Sequence, residues 1–248
     1  MLNERNGRYA ARPAEAPKDL EAVMGLRQQV FRGAAAATDA DAFDPICRHV
    51  LVEDRCSAQI VAAFRLLVVA SGKALDATYS AQFYGLSALE SHPGPMAELG
   101  RFCLAPGCHD PDILRAAWGA IAAIVAEERV DILFGCTSFP GIATTDHAHA
   151  FALLAEKHLG PDKWRPEAKA QHVYPYAREL RGLKHDPRLA LKAMPPLLRT
   201  YLAMGGWVSD HAVIDHDLGT THVFTGLEVR DVPARRAQSL SRLAQFCP

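Results

Sequence analysis

Residues 97 to 158 set the tightest limit on how this chain can fold. Ala97-Glu98-Leu99-Gly100-Arg101-Phe102-Cys103-Leu104 is a short apolar run carrying one carboxylate and one guanidinium, and a turn rich in Pro and Asp follows from Pro106 to Pro111. Leu114, Trp118, Ile121 and Val125 then recur on one face of a helix that runs to about Arg129. Asp131 to Phe139 reads as the next strand, and Thr144 or Thr145 caps a further helix through His158. Two strands joined by a crossover helix must lie parallel, so Glu98 and Cys136 should sit on neighbouring strands.

The flanking sequence fits a sheet with helices on it. Leu20, Val23, Met24, Val30 and Phe31 have helical spacing, and Arg27 lies on the same stripe. His49–Val52 and Ile60–Val69 read as a strand pair, with Arg65 inside the second. Tyr79–Leu89 has no clear period. Met194-Pro195-Pro196 opens a short helix that Gly205-Gly206 closes, and Val208–Ile214 with His222–Leu227 form a last strand pair. Residues 1–17, with Arg5, Arg8 and Arg12 among Asn, Gly and Pro, read as a flexible arm, and 18–248 as a single domain.

Composition excludes several classes. The formal charge of −1 argues against a nucleic-acid binder, which needs an excess of Lys and Arg. No apolar run approaches the roughly 18 residues of a membrane span, and the first residues lack the apolar centre of a secretory signal, so a cytoplasmic protein is expected. The six cysteines form no C-x-x-C pair and read as buried, reduced thiols. No metal site is expected: His147 and His149 point to different helix faces, and Cys103, Cys108 and His109 lack a zinc spacing.

Charges inside apolar runs mark the candidate chemistry. Glu98 is either a structural ion-pair partner of Arg101 or Arg65, or a proton acceptor. Arg27 either snorkels or grips a carboxylate, and the loop with Asp39, Asp41 and Asp44 is either a solvated turn or a flap for a cationic substrate. Cys103 lies five residues after Glu98 and so faces the other side of a regular strand, which argues against a nucleophile there; Arg101 fails the same alternation unless a bulge intervenes. The turn before the long helix has one glycine among acids and suits a pyrophosphate poorly. From Lys157 to Arg199 the chain is basic, with Trp164, Tyr174 and Tyr176 interleaved.

Taken in order, Leu26-Arg27-Gln-Gln-Val-Phe31, Ala42-Phe43-Asp44-Pro-Ile-Cys-Arg-His49, Phe64-Arg65-Leu-Leu67, Glu98-Leu-Gly-Arg101-Phe-Cys103, Gly135-Cys136-Thr-Ser138-Phe-Pro-Gly141, Pro195-Pro-Leu-Leu-Arg-Thr-Tyr201 and Ala212-Val-Ile-Asp215 resemble the ornithine-acyl carrier protein N-acyltransferases, over roughly residues 20–225. That family is similar to GNAT-type acyltransferases and to acyl-homoserine lactone synthases. The resemblance implies an α/β (α+β) fold: a mixed central sheet with flanking helices, splayed between the strands at 97–104 and 131–139. The acyl-phosphopantetheine arm of acyl carrier protein would lie in the splay, against Leu99, Phe102, Cys103, Leu104 and Cys136, with no tightly bound cofactor. It implies transfer of a 3-hydroxyacyl group to the α-amine of L-ornithine, giving lyso-ornithine lipid.

In that scheme Glu98 is the base, and Arg27 or Arg65 holds the acceptor carboxylate. Asp39, Asp41 or Asp44 holds the side-chain ammonium, and Arg101, Ser138 and Asp215 complete the substrate site. The basic 157–199 segment would dock acidic acyl carrier protein or an anionic membrane surface, the latter making the protein peripheral on the inner face of the cytoplasmic membrane. The sequence departs from the family at two places: Leu218-Gly-Thr-Thr-His222 stands where Phe-Asn-Thr-Thr-Asp is usual, and Phe102 replaces Ser. An acyl-homoserine lactone synthase, or a non-catalytic acyl-carrier or membrane-binding protein of the same fold, is the alternative.

Overall fold

A computed structural model describes residues 7–33 and 38–244. In chain order the strands are β1 (Tyr9–Pro13), β2 (Arg48–Asp54), β3 (Gln59–Val69), β4 (Tyr84–Gly85), β5 (Met96–Leu104), β6 (Ile132–Pro140), β7 (Glu167–Ala168), β8 (Val173–Tyr174), β9 (Trp207–Asp215) and β10 (Thr220–Glu228). The helices are α1 (Pro17–Arg27), α2 (Ser87–Glu90), α3 (Pro111–Glu127), α4 (Ala148–Lys157), α5 (Tyr176–Glu179), α6 (Pro187–Ala193), α7 (Pro196–Ala203) and α8 (Ala234–Ala244). The chain packs as two compact units, one of residues 1–68, 99–130 and 234–248, the other of 69–98 and 131–233.

In the first unit the strands run in the order β1-β2-β3-β5, with β1, β2 and β3 antiparallel. β1 corrects the expectation of a loose arm over residues 1–17, of which residues 1–6 lie outside the described residues. Tyr9 to Pro13 pair with Asp54 to Val50, Ala11 is buried, and Arg8 and Tyr9 are tied to Asp54 and Asp110. Composition hid this strand because its partners lie some forty to a hundred residues away. α3 begins as expected: Pro111 sits in its first turn and the Asp110 carboxylate accepts from the Asp112 N–H. Its buried face is Ile113, Ala117, Trp118 and Ile121, turned from the expected stripe so that Leu114 and Val125 are only half-buried. Gly119 explains part of the turn, since a Cβ there would lie 2.9 Å from Leu243 on α8.

In the second unit the order is β5-β6-β10-β9-β8, with a separate β4-β7 pair. β5 and β6 are parallel, with Met96, Ala97 and Glu98 opposite Ile132, Leu133 and Phe134. The remaining neighbours are antiparallel, so the sheet is mixed, as expected. α7 ends before Gly205, whose φ of +93° suits a residue without Cβ. The expected Thr cap gives way to a 3-10 turn, Thr144–His147, before α4. α4, α6 and α7 pack through Phe151, Leu154, Ala190, Met194 and Leu198 onto Phe139, Val208 and Val223. Of the cysteines only Cys103 is fully buried; Cys47, Cys108 and Cys136 are half-buried, Cys56 is exposed, and Cys247 lies outside the described residues.

Candidate active site

Two constellations of charge and hydrogen bonding stand out, one in each unit. In the second, Glu98 is 5% exposed and its carboxylate is held by backbone: Oε1 accepts from the Ser80 N–H at 2.6 Å and Oε2 from the Tyr79 N–H at 2.8 Å. Both oxygens of this buried carboxylate are thereby hydrogen-bonded. A 3-10 turn, Ser80–Gln82, presents the Ser80 N–H, and the Ser80 hydroxyl lies 3.4 Å from the Cys136 sulfur on β6. Tyr201 of α7 is 1% exposed and lies within the electrostatic reach of Glu98. Burial, with the Glu98 charge adding to it, pushes the phenol's pKa up, so Tyr201 stays protonated.

The segment after the Glu98 donors is anchored at its other end too. The buried Tyr84 hydroxyl donates to the His222 carbonyl at 3.0 Å and lies 3.1 Å from His222 Nδ1. Phe83 packs edge-on to the His222 ring, with centroids 5.0 Å apart. Burial drives the His222 pKa down to about 4, so the imidazole is neutral. Ser138 is exposed opposite His222. Asp215 accepts from the Asp217 and Leu218 N–H groups and so closes the β9–β10 turn.

In the first unit Arg27, Asp39, Arg101, Asp41, Arg65 and Asp44 form a closed ring of alternating charge. Arg27 Nε and Arg101 Nε both donate to Asp39 Oδ2 at 3.0 Å. Arg101 Nη2 reaches Asp41 Oδ2 at 3.1 Å, Arg65 forks Asp41 at 2.5 and 2.8 Å, and Arg65 Nη1 donates to Asp44 Oδ1 at 2.5 Å. Arg27 Nη1 closes the ring on Asp44 at 2.6 Å. Three cations and three anions alternate around the ring, and Arg32 adds a fourth guanidinium on Asp39 Oδ1 at 3.3 Å; this pairing is what lets the carboxylates be buried. Although burial opposes it, the Arg27 fork holds the Asp44 carboxyl below the usual carboxylate range.

Ring geometry depends on a backbone irregularity. Arg101 adopts φ +51°, a left-handed conformation rare for a side chain of this size, and so leaves the strand alternation that would aim it elsewhere. Gly100 precedes it where a Cβ would lie 3.4 Å from Arg65 Nε. Of the ring's side chains, Arg27 and Asp39 are almost wholly inaccessible, whereas Asp41 is 21% exposed. Of the ring's carboxylates Asp41 is therefore the most open to solvent, while Asp39 is shared among Arg27, Arg101 and Arg32.

Of the residues expected along an acyl arm, Leu99 is buried, Phe102 stacks on Phe64 with centroids 5.8 Å apart, and Leu104 is half-buried. Cys103 joins the core of Val23, Leu26, Leu51 and Ala63, where burial pushes its thiol up to about 12. A thiol that is so hard to ionise is no nucleophile. Tyr79, Ser80 and Tyr84 went unread in the sequence: two of the contributions are backbone N–H groups, which no residue type announces.

A GNAT acetyltransferase domain model matches residues 23–119. FeeM, an N-acyl amino acid synthase from uncultured soil microbes, superposes with a TM-score of 0.52 at 12% identity, covering 96% of this chain and 98% of that one. With the mixed sheet, these findings define a GNAT fold. The L-ornithine N(α)-acyltransferases of Agrobacterium fabrum and Brucella abortus are each 32% identical, over 93% of this chain and 84% and 88% of theirs. That of Rhodobacter capsulatus is 30% identical over 94% of this chain and 95% of its own. The chain belongs to the L-ornithine N(α)-acyltransferase family.

Proposed function

We propose that this enzyme transfers a 3-hydroxyacyl group from acyl carrier protein to the α-amine of L-ornithine, giving lyso-ornithine lipid. The observation that carries the reading is similarity along almost the whole chain to relatives named for ornithine acylation. A carrier-protein donor is favoured over a coenzyme with a pyrophosphate because the α3 N-terminus is already served by its own carboxylate, Asp110.

The amine nitrogen attacks the thioester carbonyl carbon, the new N–C bond forms, the C–S bond breaks, and the carrier sulfur leaves as a thiol, protonated by the proton that the nitrogen has given up to the acceptor group. No acyl-enzyme is needed. The protein's task is to orient the amine and to take the proton it sheds, and Glu98 is the acceptor in this reading. Glu98, its oxygens held by two N–H donors, receives the proton once attack has made the nitrogen strongly acidic, directly or through a water. In the second unit, Ser138 and Asp215 belong to the proposed substrate set with Glu98.

Single-turnover transfer from 3-hydroxyacyl-acyl carrier protein to radiolabelled ornithine tests this. Lysine and S-adenosylmethionine serve as competing acceptors. A labelled N-acyl product with ornithine alone is expected; preference for S-adenosylmethionine would move the chain to lactone synthesis, and no transfer to any of the three would overturn the reading.

A further inference from the structure

Six large apolar side chains are exposed among the described residues, and three of them, Leu183, Leu189 and Leu191, fall within one short stretch at 46–49% exposure. Single exposed leucines need no explanation, but a cluster does. The leucines have no core left to join. Ala190 and Met194 already fill the interior beneath this stretch, and Tyr176 anchors it by donating to the Ser209 carbonyl. Asp186 caps α6 through the Arg188 and Leu189 N–H groups, while its own N–H donates to His149. With Ala190 facing in, the 100° step of a helix puts Leu189 and Leu191 on its two flanks and Arg188 and Lys192 outermost.

The same surface carries unspent positive charge. Arg181, Lys184, Arg188 and Lys192 are all exposed, and among the described residues none of them makes an ion pair. Beside them a cavity of about 670 Å³ is bordered by Arg165, Arg178, Arg181 and Lys184, with Leu183 and the acids Glu156 and Asp210 in its wall. Cations and leucines thus share the exposed part of the 181–192 stretch. A bilayer with anionic headgroups satisfies both at once, the guanidinium and ammonium groups on lipid phosphates and the leucines at the acyl boundary. A protein partner would have to match each group in place. No described helix is long and apolar enough to cross a membrane, so attachment would be to the surface.

We propose that the 178–192 surface seats this protein on an anionic bilayer, through Leu183, Leu189 and Leu191 together with Arg181, Lys184, Arg188 and Lys192. The proposal does not depend on which acyl group or amine the active site takes, because it is tested without either.

The experiment is co-sedimentation of the full chain with phosphatidylcholine vesicles, with and without phosphatidylglycerol, at low and high salt. Binding is expected only with the anionic lipid and is weakened by salt. Replacing Arg181, Lys184, Arg188 and Lys192 by Gln should weaken it by about fivefold per charge. L183S/L189S/L191S should weaken it by about tenfold or more at unchanged thermal midpoint, which separates lost insertion from lost folding. Absence of binding to anionic vesicles overturns the proposal, as does binding that both variants retain. Variants that keep vesicle binding but lose acyl carrier protein binding in lipid-free detergent would reassign the surface to a protein partner.

Discussion

Glu98 Oε1 accepts the Ser80 backbone N–H at 2.6 Å, so the only carboxylate in the apolar strand β5 is fixed by a turn that lies eighteen residues earlier. Glu98→Gln keeps the size but replaces one acceptor oxygen by an NH₂ group facing an N–H. Turnover should fall by about two to four orders of magnitude, the usual worth of a positioned proton acceptor, with acyl carrier protein affinity retained. Rapid-quench single turnovers beside a titration of carrier binding separate the two; full activity in the variant removes Glu98 as the base.

The charge ring should behave as one unit. Arg27→Gln leaves Asp39 and Asp44 short of a buried partner and should cost about 3–5 kcal/mol in urea unfolding. Arg27→Lys should also destabilise, because an ammonium cannot reproduce bonds from Nε, Nη1 and Nη2 to two aspartates. A loss below about 1 kcal/mol for Arg27→Gln would mean that solvent replaces the ring.

At position 101 two substitutions should differ in a way that only backbone conformation explains. Both Arg101→Ala and Arg101→Gly lose the Asp39 and Asp41 contacts, but Gly accepts φ +51° without strain. The glycine variant should be the more stable by about 1 kcal/mol in the same unfolding assay. Equal stability would indicate that the strand relaxes to ordinary geometry once the guanidinium is gone.

His222 sets an acid limit on stability. Its folded pKa of about 4 lies below the ordinary value of 6.5, so between those values the unfolded chain binds a proton that the folded chain does not. Stability is full above about pH 6.5 and falls toward pH 4, by about 3 kcal/mol from this group. His222→Asn should flatten that part of the profile of unfolding free energy against pH. An unchanged slope would place the acid sensitivity elsewhere.

Cys103 should be chemically silent. With burial holding its thiol near 12, alkylation by iodoacetamide at pH 8 should modify exposed Cys56 and spare Cys103 in the folded protein. Cys103→Ala should keep turnover within about threefold, because it deletes a core contact and no reacting atom. Loss of transfer together with a trapped thioester at position 103 would require a covalent route.

What could be read in the chain was whatever short-range pattern encodes. The Pro and Asp punctuation before α3 and the apolar runs on either side of it determine two parallel strands with a crossover, and the structure pairs Glu98 with Phe134 accordingly. The same pattern flagged Glu98, Arg65 and Arg27 as charges in apolar surroundings. It even required a bulge if Arg101 was to turn inward, and Arg101 is left-handed. β1 escaped notice because a polar edge strand is defined by a partner forty residues away.

Only tertiary structure decided how those charges are spent. Nothing in the spacing of Arg27, Asp39, Asp41, Asp44, Arg65 and Arg101 reveals that they close into one ring, since each link depends on side chains meeting in three dimensions at about 3 Å. Nor does residue type reveal that Glu98 is held by backbone N–H groups, which every residue but proline carries. Periodicity placed the carboxylate on its strand; packing alone chose its partners, because hydrogen bonds and ion pairs act over a few ångströms of space and are blind to distance along the chain.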